Sequence, residues 1–512
     1  MKKVIGVSVV VFLIALIFAG SAFADLPGSG WWSSIFVQNI GGGPGQMEMT
    51  AYGASAEYGS ALFDFNHGQA LAYNPGKTLG GAFIGFTPAL PPGFEGSVVV
   101  SASVPVAAVS ELANYQNGPV GVAGGTAVAR YQGMSAAQVD TSLGIASIKN
   151  NFGAQTTTLY VQAAGADANV TVTYTMADGN VYTQTQAIAA NKMFMFDPTA
   201  AGVPSTNCGF DGNTSPCHGA ATITSTTGPI AAIVVEHPHT GSPAGFALST
   251  RAQTSADQDT TLFHPTIKND FWGNMNAGAT VMNVGDAPAL VRITLTVTNV
   301  SPGSTAQIGQ VYTDQEIVAP GESVVFSKWR GNFGGMPSGT FAAGIIESVA
   351  EGDYTQQPLV GSTNDRKDMT TLREDKGISL YNGFADRNTT TTVAAPTLVE
   401  NINNVTSSIT VQNVGAAPTH MTFTYYEYGT SNVYRFRTIN PIAVGEATVT
   451  TMISARGHER FTILDGFTSW AQMGGKQYSV IVTADQPIIG LVSEFHRADL
   501  LDIGNYEAIN LD

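Results

Sequence analysis

The 512-residue sequence predicts an all-β protein, a tandem array of four antiparallel β-sandwich domains behind an N-terminal signal peptide. Three observations carry that expectation. A short phrase is spelled four times, as Val37-Gln38-Asn39-Ile40-Gly41, Val161-Gln162-Ala163-Ala164-Gly165, Val281-Met282-Asn283-Val284-Gly285 and Val411-Gln412-Asn413-Val414-Gly415, at spacings of 124, 120 and 130 residues. Each copy then runs into a strictly alternating segment, and each later shows two apolar runs joined by a short turn that ends in proline. A period near 120 residues is too long for propeller blades or solenoid coils, which recur at roughly 20–50 residues, and fits a whole small domain.

Taken in chain order, the N-terminus comes first. Lys2-Lys3, the apolar run 4–19 and Ala22-Phe23-Ala24 ahead of Asp25 are the basic, apolar and small-residue parts of a secretory signal, with cleavage expected after Ala24. No other apolar stretch reaches the roughly 18 residues a membrane span needs, so the processed chain is expected to carry no transmembrane segment. The alternating segments are Met47-Glu48-Met49-Thr50-Ala51-Tyr52, Val170-Thr171-Val172-Thr173-Tyr174-Thr175-Met176, Val291-Arg292-Ile293-Thr294-Leu295-Thr296-Val297 and Met421-Thr422-Phe423-Thr424-Tyr425. Period two with β-branched residues means a strand with one buried face and one wet face. The closing hairpins turn at Pro105, Pro229, Pro358 and Pro487, the third with a longer insert.

About seven short strands in roughly 110–120 residues is the signature of an immunoglobulin-like sandwich. The boundaries expected are a signal peptide over 1–24 and sandwiches over 25–135, 136–253, 254–385 and 386–512. Lead-in stretches such as Ile148-Lys149-Asn150-Asn151-Phe152 and Ile267-Lys268-Asn269-Asp270-Phe271 read as the first strand of a sandwich. Short junctions, two of them containing Tyr131-Gln132-Gly133 and Tyr381-Asn382-Gly383, predict a stiff, collinear rod. In the first copy only residues 25–36 separate the expected cleavage point from Val37, so the processed domain lacks an opening strand. An unpaired edge there is a template for strand addition, with Trp31 and Trp32 as the candidate assembly edge; the plainer alternative is that this segment closes the domain itself.

Lys and Arg number 22 against 38 Asp and Glu, a net charge of −16 that repels a phosphate backbone and argues against nucleic acid as a partner. Only 12% of residues are charged, where a freely soluble domain has about a quarter. Thr-rich outer faces of this kind approach neighbours with little charge desolvation, which fits an extracellular assembly.

The chemistry-bearing residues are few. Cys208 and Cys217 bracket a Gly/Asn/Pro-rich loop, most simply as a disulfide in an exported chain; a metal or redox site with His218 would have an incomplete ligand set. Glu236-His237-Pro238-His239 looks metal-like, but Glu494-Phe495-His496 and Glu111-Leu112 fall in the same register, so the expectation is a strand-end or interdomain contact. No cofactor is expected; calcium is the one candidate, on Asp257-Gln258-Asp259, which lacks a complete loop motif. Trp31, Trp32, Trp272, Trp329 and Trp470 are candidates for a sugar-stacking platform, with core packing as the commoner role of a Trp in such a domain. There is no Gly-x-Ser-x-Gly elbow, His-Glu-x-x-His, phosphate loop or dinucleotide fingerprint, so no catalytic residue is nominated and enzyme activity is not expected.

The lead-in Ile-Lys-Asn, the Val-Gln-Asn-x-Gly phrase, the Thr-alternating strand, Pro-Ile-Ala-Ala and Tyr-x-Gly together resemble the tandem immunoglobulin-like repeats of secreted bacterial surface proteins of the Chloroflexota. The resemblance spans nearly the whole processed chain. It implies a structural or adhesive role at the cell surface, through self-association into a layer or filament or through other surface components, and supplies no catalytic residues. The alternative is a secreted carbohydrate- or host-binding module, with a glycan as ligand.

Overall fold

A computed structural model describes residues 9–13, 31–75, 77–114, 127–206, 208, 214–239, 247–273, 275–367, 376–402, 405–450, 460–466, 468–496 and 501–511. The expected cleavage point at Ala24 and the charge-rich stretch 368–375 of the third repeat lie outside them. The described chain is all-β with antiparallel sheets, apart from one short parallel pair at Ala70–Tyr73 and Phe83–Ile84.

One strand order recurs, and the second repeat shows it whole. In one layer Val181–Ile188 pairs with Ala168–Met176, that with His218–Ser225, and that with the lead-in Ser142–Phe152, which also takes the two-residue strand Gln253–Thr254. In the other layer Leu248–Arg251 pairs with Ile230–Pro238, that with Gln155–Ala163, and that with Met193–Phe196. Alternation fills the space between: Val170, Val172, Tyr174 and Met176 are buried while Thr171, Thr173 and Thr175 face outward. Burying each such side chain stabilises the fold by about 1.5–3 kcal/mol before entropy is counted. The third repeat follows the same order through Thr261–Phe271, Met275–Asn283, Ala289–Val300 and Leu359–Lys367. In the fourth, the two closing strands run on as one strand, Lys476–His496.

The phrase is a packing device between two sequence signals. In every copy the residue after the phrase's third position donates its N–H to the hairpin proline carbonyl: Ile40 to Pro105 and Val284 to Pro358 at 3.0 Å, Ala164 to Pro229 at 2.8 Å, Val414 to Pro487 at 3.0 Å. Asn39, Asn283 and Asn413 each accept the N–H of Gly41, Gly285 or Gly415 at 2.9–3.0 Å and donate to two carbonyls across the turn. The second copy has Ala163 instead, and Asn191 reaches in from the next turn to accept from Gly165 at 2.9 Å. Gly285 and Gly415 are needed for close approach, since a Cβ would sit 2.2 Å from Gln357 or 2.7 Å from Gln486.

The expected collinear rod is not what forms. Ala127–Gln132, Leu248–Arg251, Lys376–Asn382 and Leu501–Glu507, one from each repeat, lie against one another in sequence and the last returns to the first. The repeats therefore close into a ring around these axial strands. Apolar clusters seal the joints: Met282, Val360 and Ala146 between the second and third, Phe263, Tyr381, Ile489 and Leu491 between the third and fourth, Ala107, Ala394 and Ile481 between the fourth and first. A rod follows from short junctions only if neighbours touch end to end; here they touch side to side, with apolar residues on the flank.

Candidate functional site

The best-built constellation is the buried centre of the ring. Gln132, Arg251, Asn382 and Glu507 occupy the same position on the four axial strands. Arg251 Nε donates to Gln132 Oε1 at 3.0 Å, Asn382 Nδ2 donates to the Arg251 carbonyl at 2.8 Å, and Glu507 accepts from the Asn382 N–H and from Thr250 Oγ1. Asp257 clasps Arg251, Nη2 donating to Oδ1 at 2.6 Å. Burial pushes the Asp257 carboxyl up, but Arg251 and Thr254 outweigh it and hold it below the usual range. Burial raises Glu507, which the Asn382 N–H and Arg251 offset only in part.

A second set of charges ties neighbours together. Arg130 of the first repeat forms ion pairs with Glu111 of its own repeat and, at 2.8 Å, with Glu494 of the fourth. Burial lowers the affinity of Arg130 for its proton, and Glu494 and Glu111 together more than restore it. Glu236 takes Lys149 Nζ at 2.7 Å and Asn364 Nδ2 of the third repeat at 3.1 Å, and Asp365 pairs with Lys268. Of the acidic residues in common register, Glu236 and Glu494 thus reach across a joint, while Glu111 and Asp365 pair within their own repeats. His237 and His239 bond Thr158 and Thr156. Among the described residues no group of three His, Cys, Asp or Glu is placed to hold a metal ion, and Asp257 and Asp259 are engaged by Arg251 and Arg387.

Two of the three phrase glutamines work at the joints too. Gln38 Nε2 donates to the Gly68 carbonyl at 3.2 Å, and that carbonyl accepts Ser479 Oγ of the fourth repeat at 2.7 Å. Gln162 Nε2 donates to the Asn191 carbonyl at 3.3 Å, which accepts Ser97 Oγ of the first repeat at 2.6 Å. One hook serves both joints.

Cys208 and Cys217 form the expected disulfide, with Cα atoms 5.3 Å apart. Trp31 is 1% exposed, in an apolar cluster drawn from the first and second repeats, and Trp32 starts a strand paired on one flank with Val106–Asn114. The lead-in strand position of this repeat lies in the other layer, beside Gly96–Ala102. Trp470 packs on Phe436, whereas Trp272 and Trp329 of the third repeat are 58% and 50% exposed. Sequence reading passed over Arg130, Arg251 and Glu507 and placed Asn382 only in a junction; the available signal was the pattern Tyr-x-Gly or Tyr-x-Ala at Gln132, Asn382 and Glu507.

No family model and no curated protein matches the chain. Among solved structures it is similar to Thermotoga maritima 1070, at 16% identity and TM-score 0.19 over 25% of this chain and 96% of that one. A Bacteroides uniformis beta-glucuronidase gives 11% identity and TM-score 0.12 over 54% of this chain and 26% of that one. A tetra-tandem repeat from the extending region of a large adhesion protein gives 12% identity and TM-score 0.10 over 92% of both chains. Scores this low carry no argument about fold or function. Among the described residues no helix is long and apolar enough to cross a membrane.

Proposed function

We propose that this chain is an exported, non-catalytic structural or adhesive protein of the cell surface, built from four immunoglobulin-like sandwiches behind a cleaved signal peptide and assembling with itself or with other surface components. The observation that carries the reading is the use of the chain's buried charges: the ionic groups at the ring centre and joints, Arg130, Arg251, Glu236, Glu494 and Glu507, are buried and hold repeat to repeat. Groups spent on rigidity in this way suit a load-bearing or display unit. The Thr-rich, sparsely charged exterior suits close packing, and the Chloroflexota-type resemblance points the same way. Negative-stain images of the native cell surface and of the purified protein test it: filaments or a lattice are the expected result, and dispersed single rings with an unlayered surface would sink it.

A second reading, a glycan-binding module, draws on one feature. Trp272 sits at φ +49°, a left-handed conformation costly for a bulky residue, at the tip of the hairpin that joins the third repeat's lead-in to its phrase strand. Glycan-array binding that vanishes in Trp272→Ala would favour it; an array that stays blank would remove it.

A further inference from the structure

The first repeat obtains its lead-in strand from an unexpected source. Val9–Leu13, inside the apolar run read as the signal, pairs antiparallel with Gly96–Ala102 on one side and with Met134–Ser135 on the other. The register is that of the other repeats. Val11 and Phe12 face Ser135 and Met134 as Leu143 and Gly144 face Thr254 and Gln253, Leu262 and Phe263 face Ala385 and Phe384, and Val393 and Ala394 face Asn510 and Ile509. On the other flank Val11 faces Val100 as Leu143 faces Ile223, Leu262 faces Ile346 and Val393 faces Val482. Leu143, Leu262 and Val393 are fully buried, so this register position belongs to the core.

The manner of supply differs. In the second and third repeats a tight hairpin joins the lead-in to the phrase strand, Phe152 to Gln155 and Phe271 to Met275. In the first, residues 14–31 intervene before Trp32–Asn39, and the two layers remain separate sheets. The strand position is therefore built by Gly96–Ala102 and Met134–Ser135 without a hairpin to fill it.

We propose that this position is a strand-acceptor site for an extended, uncharged, β-branched-rich segment of another polypeptide, running antiparallel to Gly96–Ala102. It rests on the export reading, because removal of residues 1–24 is what empties the slot. Before processing, Val9–Leu13 occupies the slot in cis. Afterwards the backbone N–H and C=O groups of residues 98–102 face an open position, and an incoming strand satisfies them while apolar residues in the register of Leu143 complete the core. The facing residues Val98, Val99 and Val100 carry no charge, so the fitting partner segment is apolar like the leader.

The test uses the full chain, folded with a protease site at the Ala24-Asp25 junction, then cut and freed of the released leader by size exclusion in mild denaturant, its loss checked by mass. A labelled peptide of residues 1–16 is added to uncut and cut protein, beside the same peptide carrying Val11→Asp and Leu13→Asp. The expected result is one peptide bound per cut chain, none on the uncut chain, and at least tenfold weaker binding of the doubly substituted peptide. Amide exchange over residues 98–102 should speed up on cutting and slow again with peptide. Equal binding to cut and uncut chains would overturn the proposal. So would a cut chain that refuses the peptide while those amides stay protected, which would mean that residues 25–31 fill the slot. A surface lattice seen in the imaging experiment alongside a slot that refuses peptide would leave the structural role standing and remove this inference alone.

Discussion

The joint between the first and second repeats is crossed by the polypeptide, and the joint between the fourth and first is not, yet the two are built alike. At the linked joint Gln162 sets the Asn191 carbonyl against Ser97; at the unlinked joint Gln38 sets the Gly68 carbonyl against Ser479. An axial arginine serves each, Arg251 reaching Gln132 and Arg130 reaching Glu494. Ring closure thus comes from the surfaces themselves, with the peptide link adding local concentration rather than a different contact.

The comparison breaks first at the arginines. Arg130→Met leaves Glu111 and Glu494 buried without their cation and should cost about 3–5 kcal/mol, read as a lowered urea midpoint and faster amide exchange on the facing strands of the first and fourth repeats. Arg251→Met should cost a similar amount, but exchange at the linked joint should rise less, since the chain holds those repeats together. Equal opening of both joints would show that connectivity contributes nothing.

The disulfide gives a reference far from the unlinked joint. Cys208→Ala with Cys217→Ala should cost about 2.5–3 kcal/mol in the chain-entropy picture, confined to the second repeat, with fourth-to-first exchange unchanged.

Acid supplies a third measurement. His264 of the third repeat is buried and burial lowers it to about 3, with Nδ1 on Thr363 Oγ1 at 2.7 Å. As pH falls, the unfolded chain takes up the proton first, so this contribution is intact above about 6.5 and is lost progressively towards about 3. By pH 5 the loss should be about 2 kcal/mol, and His264→Asn should flatten the difference between melts at pH 7 and pH 5.

The smallest test is the sharpest. Ser97→Ala and Ser479→Ala each remove one hydrogen bond to a turn carbonyl and should each cost about 1 kcal/mol. Values that agree would establish the two joints as equivalent; a Ser479 effect near zero would mark the unlinked joint as loosely seated.

The β character, the alternating Thr strands and the cysteine pair were legible because each is written in contiguous letters with a fixed period. The four-fold phrase was legible as a register mark, and its real work became clear only with its partners: Asn39, Asn283 and Asn413 lock a turn against the hairpin proline, and Gln38 and Gln162 aim that turn at a neighbour. The ring was not legible. Its axial strands share little beyond a Tyr two residues before a small residue in three copies, and the polar contacts that close it, Arg130 with Glu494 or Thr250 with Glu507, join residues hundreds of positions apart. Such pairs leave no local period. The burial of Trp31 was open to the sequence only as the plainer alternative, because part of its cluster comes from the next repeat.

The disulfide occurs in one quarter of the ring, the exposed Trp272 and Trp329 in another, and the hairpin-less lead-in in a third. In a ring of four separate identical subunits any such feature would appear on every side at once. Writing the ring as a single chain breaks that equivalence and gives each quadrant its own address, so the particle has a front and a back around its circumference as well as two faces. A sheet tiled from such units can be polarised, with every ring turned the same way.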